Sequence, residues 1–362
     1  MKKLFAILSM VALTSTLAVT PAIAAPAKPG GTCAKVNTST TISKVKYVCK
    51  KSGSKLIRTK TSAPAPVFAT LWDKYSWTKP TDASAVANAA TAAFTSYTAT
   101  KRNANTSVKV LAQTGVDQTL INWVTDGANL VAQTFAYPAL SRPFVDVIAI
   151  DEAGLQSLYK AEGFSDNEIQ DRVGGFKAGA PAFGGSKTNT WNFTTIKNNN
   201  LMTNDRAGTA QTAGHEFFHA IQEMLATRNP GPLGEEIPNW FWEGPAMFIG
   251  LQATNKLGIN SYATDGRQWA LDRFRGGQGN MKSLPLVEVK ANDGKIDPYG
   301  IGEVATEFLV SKVGIEKLLA IYANLGKGQT FATAFANGSG IALADFYSMF
   351  EEVRGVLGVP KS

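Results

Sequence analysis

The stretch "GHEFFHAIQ", residues 214–222, contains both histidines of the 362-residue chain, four positions apart, with a glutamate directly after the first. Side chains four residues apart on an α-helix lie on one face, one turn above the other, so His215 and His219 could direct two imidazoles at one ion. Glu216 is offset from His215 by about 100° around the helix axis, which places its carboxylate beside such an ion. The pattern H-E-x-x-H is typical of zinc sites in which the glutamate acts as a general base.

The residues around the motif predict a helix over 209–227. Its apolar residues at helical spacing, which we expect to form a buried stripe, are Phe217, Ile221, Met224 and Leu225. This stripe would fix the face of the helix on which the histidines lie. For Gln222 we expect a side chain that faces solvent, and the alternative is a supporting contact to the histidines.

A metal site needs a third protein ligand, because two histidines four residues apart can also arise by chance or lie on the surface. The acidic candidates downstream are Glu223, Glu235, Glu236 and Glu243. Glu223 could share the face of His219, but one helix cannot easily surround an ion with three ligands. Glu235 and Glu236 stand in a Gly/Pro loop. Glu243 stands in the apolar segment "IPNWFWEGPAMFIG", where a carboxylate is costly to bury unless it is paired or binds a metal. We favour Glu243, which would leave the fourth position of a zinc ion to water.

The motif and the segment "PNWFWEGPA" together resemble the gluzincins, and specifically the secreted peptidase MA-like group, which carries H-E-x-x-H followed by W-x-x-E-G-x-A. The segment that begins "DPYGIGEVATEFLVSKVGIEKLL" resembles the helical C-terminal half of that family. The resemblance covers residues 209–355 well and residues 70–208 loosely.

The resemblance implies a function for five residues of this chain. Zinc ligands would be His215, His219 and Glu243, and the general base would be Glu216. Tyr299 of "PYGIG" matches the tyrosine that hydrogen-bonds the oxyanion in aminopeptidase-type gluzincins, whereas the residue alone would be read as an ordinary tyrosine at a helix start.

Two departures from the family pattern affect these expectations. Pro245 follows Glu243-Gly244, lacks a backbone N–H, and would kink the helix near the third ligand. The Gly-x-Met-Glu-Asn segment, by which aminopeptidases bind a free amine, is absent, and the nearest glycine-containing strand candidate, "FGGSKTNTWNF", has no acidic residue. An exopeptidase is therefore less favoured, and the choice between endo- and exopeptidase stays open.

The N-terminus has the pattern of a secretory signal peptide, residues 1–24. Lys2 and Lys3 precede an apolar run, and Ala22-Ile23-Ala24 forms a small-residue cleavage site. The alternative is a membrane anchor, but the run is short and is interrupted by Thr14, Ser15 and Thr16. We expect a secreted protein, extracellular or associated with the cell wall, without a transmembrane segment after cleavage.

Residues 25–60 are predicted to form a small basic module. The strands "VKYVC" and "KLIR" flank the turn "KSGS", and a disulfide is expected between Cys33 and Cys49. Nine basic and no acidic residues lie between positions 25 and 62, whereas the residues beyond carry 25 basic and 28 acidic side chains. This excess charge suggests an anionic cell-envelope polymer as partner, and a merely solvated surface is the alternative. Nucleic acid is not expected, because Tyr47 is the one aromatic residue of the basic stretch.

Residues 61–70 read as a linker and residues 71–362 as one zincin-like domain. Its strands precede its helices, so the predicted fold class is α+β, with a small mixed sheet, the motif helix and a helical C-terminal half. The function expected from the whole sequence is that of a secreted zinc peptidase acting on a peptide or protein substrate. The alternative is an inactive zincin-like protein held at the cell surface by its basic module.

Overall fold

A computed structural model describes residues 27–61, 68–101, 108–135, 145–177, 182–187, 191–197, 205–226, 237–275, 284–290 and 297–360. The predicted signal peptide, most of the predicted linker, and the ligand candidates Glu235 and Glu236 lie outside the described residues. Contacts divide the chain into two units, Met1–Val67 and Phe68–Ser362.

The first unit contains a three-stranded antiparallel sheet with the order β1 (Ser39–Ile42), β2 (Val45–Ser52), β3 (Lys55–Lys60). The predicted hairpin is confirmed: Ser52 pairs with Lys55, and Gly53 turns the chain at a φ of 59°, a left-handed conformation that glycine adopts readily. The predicted disulfide between Cys33 and Cys49 is also confirmed. It closes a loop of 16 residues, which stabilises so small a unit by about 3 kcal/mol.

The second unit contains a four-stranded mixed sheet with the order β4-β5-β7-β6. Its strands are β4 (Lys109–Ala112), β5 (Val145–Ala149), β6 (Ala182–Lys187) and β7 (Trp191–Lys197). β5 is parallel to both of its neighbours, and β6 adds an antiparallel edge. All five residues of β5 are buried, because Val145 and Val147 pack on the helices that follow the strand while Ile148 faces the main core. The expected mixture of α and β structure is therefore confirmed.

The described residues of the second unit also form twelve α-helices. They are α1 (Leu71–Tyr75), α2 (Ala83–Lys101), α3 (Gln118–Thr134), α4 (Glu152–Ala161), α5 (Asp166–Lys177), α6 (Arg206–Ala226), α7 (Asn239–Lys256), α8 (Arg267–Arg275), α9 (Pro298–Val313), α10 (Ile315–Leu325), α11 (Phe331–Ser339) and α12 (Leu343–Val353). A π-helical turn, Tyr262–Gly266, leads into α8, and a 3-10 turn spans Leu286–Glu288. None of these described helices combines the length and the apolar character needed to cross a bilayer.

The motif helix α6 lies at the centre of the core, between α3 and α7. Glycines allow the backbones to touch at these crossings. A Cβ atom on Gly250 of α7 would lie 2.5 Å from the carbonyl oxygen of Gln211 on α6. On its other side α7 meets α9, where a Cβ atom on Gly244 would lie 2.2 Å from the carbonyl carbon of Gly302. The helices that carry the candidate ligands are therefore in direct main-chain contact.

A buried polar cluster joins α9 to the π-helical turn and α8. The hydroxyl of Tyr262 contacts carboxyl oxygens of both Glu303 and Glu307, and Arg267 Nε lies 3.0 and 3.1 Å from the two oxygens of Glu307. Arg267 also donates to the carbonyl of Leu357. Both glutamates and the tyrosine are fully buried, so the cluster holds two carboxyl groups and one guanidinium away from solvent.

Candidate metal centre

The structure brings together the three side chains that were predicted to bind metal. His215 Nε2 lies 3.0 Å from His219 Nε2, and Glu243 Oε2 lies 3.3 and 3.2 Å from these two nitrogens. Zinc–ligand bonds of 2.0–2.1 Å in tetrahedral geometry separate neighbouring ligand atoms by about 3.3–3.4 Å. The triangle therefore has nearly the size that a zinc ion requires. Among the described residues these three form the one group of histidine, cysteine or acidic side chains that could hold an ion.

Two helices position the ligands. His215 and His219 project from one face of α6, which is buried along most of its length, and the stripe residues Phe217 and Ile221 pack into the main core as expected. Glu243 projects from the first turns of α7, on which every residue from 244 to 254 is buried. The two ligand sets thus come from helices whose mutual position is fixed by the core.

Two of these side chains, His219 and Glu243, form an ion pair. Burial lowers the pKa of His219, but the charge of Glu243 and the hydrogen bond to it outweigh burial and raise that pKa to about 9. Burial also raises the pKa of Glu243, but the charge of His219 and hydrogen bonds from both histidines hold it well below its usual range. The carboxylate of Glu243, with 15% exposure of its side chain, is thereby compensated by the charge of His219.

The side chain of Gln222 does not face solvent, so that prediction is wrong. Gln222 is fully buried, and its Oε1 lies 2.6 Å from Nδ1 of His219. Its Nε2 donates to the carbonyl of Trp242 and to the hydroxyl of Tyr322, each at 2.8 Å. The ring of Trp242 stacks on His219, with centroids 5.6 Å apart and planes 13° apart. Polar and aromatic contacts together hold the orientation of this imidazole.

Pro245 lies inside α7 without ending it, since the helix continues from Asn239 to Lys256. Glu243, two residues earlier, still reaches the histidines. The expected disturbance of the third ligand is therefore not observed. The carbonyl of Phe241, four residues before the proline, accepts a hydrogen bond of 2.6 Å from the hydroxyl of Tyr322.

Glu216 and Tyr299 border the cluster. Glu216 is half-buried on α6, and its charge helps to raise the pKa of His219. Within the part of the chain that the structure describes, its carboxylate has no hydrogen bond or ion pair. Tyr299 is the second residue of α9, and its ring centroid lies 5.9 Å from that of His215. Tyr299 therefore lies beside His215, and Glu216 acts electrostatically on His219.

Sequence reasoning gave the contact of Gln222 only as the less favoured alternative, and it missed Tyr322. Gln222 follows His219 by three positions, so helical spacing already places it near the histidine face. Tyr322 is separated from Gln222 by 100 residues, and only the packing of α10 on α6 brings it there. Glu223, the alternative ligand on α6, is buried but is not one of the three converging side chains.

Comparisons of the chain with protein-family models, with curated proteins and with solved structures find no match. The resemblance to the gluzincins therefore stays a prediction from the sequence motifs.

Proposed function

We propose that this chain is a secreted zinc-dependent peptidase whose metal is held by His215, His219 and Glu243. The observation that carries the proposal is the convergence of two imidazole nitrogens and one carboxylate oxygen within 3.3 Å of one another. Zinc is the favoured ion, because two nitrogens and one oxygen with a free fourth position form the ligand set of catalytic zinc sites.

The chemistry proposed is hydrolysis of a peptide bond. A zinc ion held by these residues would lower the pKa of a coordinated water towards about 7 and polarise the scissile carbonyl. Glu216 has a carboxylate free to accept a proton from the attacking water and to deliver it to the leaving amine. Tyr299, beside His215, offers a hydroxyl to the oxygen on which negative charge develops. Both groups are placed by rigid helices, so little reorganisation is needed to bring them into use.

The metal requirement is tested by measuring bound zinc and cleavage of a denatured protein substrate. We expect one zinc per chain and cleavage that stops with a chelator and returns when zinc is added back. His215→Ala and His219→Ala should each lose the metal, because two remaining ligands bind zinc poorly. Glu316→Ala, at an exposed carboxylate on α10, is the matched control and should bind zinc normally. Cleavage that persists in the chelator would contradict the proposal, and zinc binding without cleavage of any substrate would favour the inactive surface protein.

We also propose that the basic module binds an anionic polymer of the cell envelope. All eight lysines between residues 27 and 61 are exposed, and no acidic residue lies within this unit to neutralise them. The strand register places Lys46, Lys50 and Lys55 on one face of the sheet, because Lys50 pairs with Ile57 and Ser52 with Lys55. The disulfide of this unit is compatible with an extracellular location.

Retention of the mature protein on envelopes of the secreting cells tests this partner. We expect release at a few tenths molar salt, because the Debye length falls from about 10 Å at 0.1 M to about 3 Å at 1 M. The variant with Lys46, Lys50 and Lys55 all changed to glutamine should elute at lower salt than the wild type. Equal elution of the two proteins would show that this face is merely solvated.

A further inference from the structure

We propose that Gln222 and Tyr322 are positioning residues of the candidate metal centre, and that Pro245 creates the acceptor on which their hydrogen bonds end. The proposal rests on the proposed function, because it concerns how the zinc ligands are held. Four groups form one chain of hydrogen bonds, from the His219 ring through Gln222 and Tyr322 to the backbone of α7.

The orientation of the Gln222 amide follows from its neighbours. The carbonyl of Trp242 can only accept a hydrogen bond, so the amide nitrogen of Gln222 must face it. The amide oxygen then faces Nδ1 of His219, and since this oxygen can only accept, Nδ1 must carry a proton. A neutral imidazole with its proton on Nδ1 has its lone pair on Nε2, which is the nitrogen that points at His215 and Glu243. Gln222 therefore selects the tautomer that can bind metal.

The last bond of the chain depends on the proline. In a regular helix the N–H of residue 245 would donate to the carbonyl of residue 241, but Pro245 has no N–H. The carbonyl of Phe241 is thereby left open inside the core, where Tyr322 donates to it at 2.6 Å. Because this bond engages the only proton of the tyrosine hydroxyl, its oxygen must accept from Gln222. The order of donors along the chain is thus determined by the missing proline N–H.

The same amide acts on two ligands that lie on different helices. Gln222 bonds His219 on α6, and it bonds the carbonyl of Trp242, the residue directly before Glu243 on α7. His215 has no comparable support, since its buried Nδ1 has no hydrogen-bond partner within the described residues. Loss of the Gln222 amide should therefore disturb His219 and Glu243 together, while the Nδ1 side of His215 is unaffected.

The ring nitrogens of the two histidines can be observed directly by long-range ¹H–¹⁵N NMR, because the chain contains no further histidine whose signals would overlap with theirs. In the wild type, metal-free or zinc-loaded, we expect a slowly exchanging proton on Nδ1 of His219. Gln222→Met, which keeps the shape and removes the polar atoms, should lose this protection. The matched control is Gln252→Met, since Gln252 is also fully buried but donates to Thr91, away from the site. A wild-type His219 with an unprotonated Nδ1 would overturn the proposal, whether or not the protein binds zinc.

Zinc affinity, measured by competition with a chelating indicator, gives a second readout. Removing an outer hydrogen-bond partner of a metal ligand typically weakens binding by about 10–100-fold, and we expect this for Gln222→Met but not for Gln252→Met. Undiminished affinity in Gln222→Met would refute the positioning role while leaving the proposed function intact. Absence of zinc binding in the wild type would refute the proposed function, and the NMR result would still decide the hydrogen-bond chain.

The contribution of the proline is tested by a double-mutant cycle. Tyr322→Phe should weaken zinc binding in the wild-type background, because it leaves the Phe241 carbonyl and one Gln222 donor unpaired. In the Pro245→Ala background the restored backbone N–H can satisfy Phe241, so the same substitution should have a smaller effect. Equal effects in the two backgrounds would show that the proline is not coupled to this chain.

Discussion

Glu216→Gln is expected to leave zinc bound and to reduce the rate of peptide hydrolysis by about 100- to 10,000-fold, which is the usual contribution of general acid–base catalysis. Glutamine has nearly the same shape, but its amide cannot accept the proton of the attacking water. Glu216 is not one of the three converging ligands, and within the described residues it holds no other side chain in place. The substitution should therefore separate metal binding from turnover.

The measurement is kcat/KM for a quenched peptide together with zinc content for the same preparation. Glu316→Gln, at an exposed carboxylate, is the control and should retain wild-type turnover. Full zinc occupancy with undiminished turnover in Glu216→Gln would remove this residue from the mechanism. Loss of zinc in that variant would instead place Glu216 among the groups that hold the metal.

Glu303→Gln and Glu307→Gln should differ sharply in their effects on stability, although both change a buried carboxyl group of α9 to an amide. The hydroxyl of Tyr262 contacts both carboxyl groups but has one proton, so the second contact is a hydrogen bond only if one carboxyl is protonated. Arg267 bonds both oxygens of Glu307, which identifies Glu307 as the carboxylate. Glu303 then holds the proton, in agreement with its other oxygen having no partner within the described residues.

The pKa values of Glu303 and Glu307 are both raised above the usual value of a glutamate. Burial raises the pKa of Glu303 well above its usual range, and the charge of Glu307 raises it further. Burial also raises the pKa of Glu307, although Arg267 opposes this. A group whose pKa is higher in the folded than in the unfolded state binds a proton on folding, so its contribution to stability is complete below the unfolded pKa and declines as the pH rises towards the folded pKa.

We therefore expect Glu307→Gln to lower the free energy of unfolding by about 3–5 kcal/mol, because Arg267 is left as an uncompensated buried charge. Glu303→Gln should be nearly neutral at pH 5 and more stable than the wild type at pH 8, because glutamine needs no proton. Urea unfolding at both pH values measures these differences. A larger loss for Glu303→Gln than for Glu307→Gln would reverse the assignment of the proton.

Local patterns allowed the sequence to predict much of this architecture. The hairpin turn at Gly53 and the motif helix predicted over 209–227 are determined by neighbours in the chain, and both are observed. Helix α11 follows less directly from its own residues. α11, "FATAFANGS", contains Thr, Asn, Gly and Ser, which have weak helix propensity, and it is held by tertiary packing of Phe331 and Phe335.

In the candidate site, too, some features follow from neighbours in the chain and others from tertiary packing. His215 and His219 are related by one helical turn, and the cost of burying an isolated carboxylate already singled out Glu243. The structure places these three atoms together, whereas the zinc and the reaction remain proposals. The contact of Gln222 with Tyr322 depends on the packing of α10 against α6, and no local pattern encodes it. Pro245 was visible, but the sequence could not show that a tyrosine supplies the missing donor.

The close glycine contacts of α7 leave little room for the backbone of Glu243 to change its position. An ordinary contact of a Cβ atom is at least 3.4 Å, so alanine at Gly244 would need the α7–α9 spacing to open by about 1.2 Å. Metal–ligand distances tolerate deviations of only about 0.2 Å. Main-chain atoms cannot rotate away as side chains can, so a displacement of α7 at this crossing would move Glu243 along with its helix. The position of Glu243 relative to the histidines thus depends on two backbone contacts without an intervening side chain. These are Gly244 against Gly302 and Gly250 against Gln211.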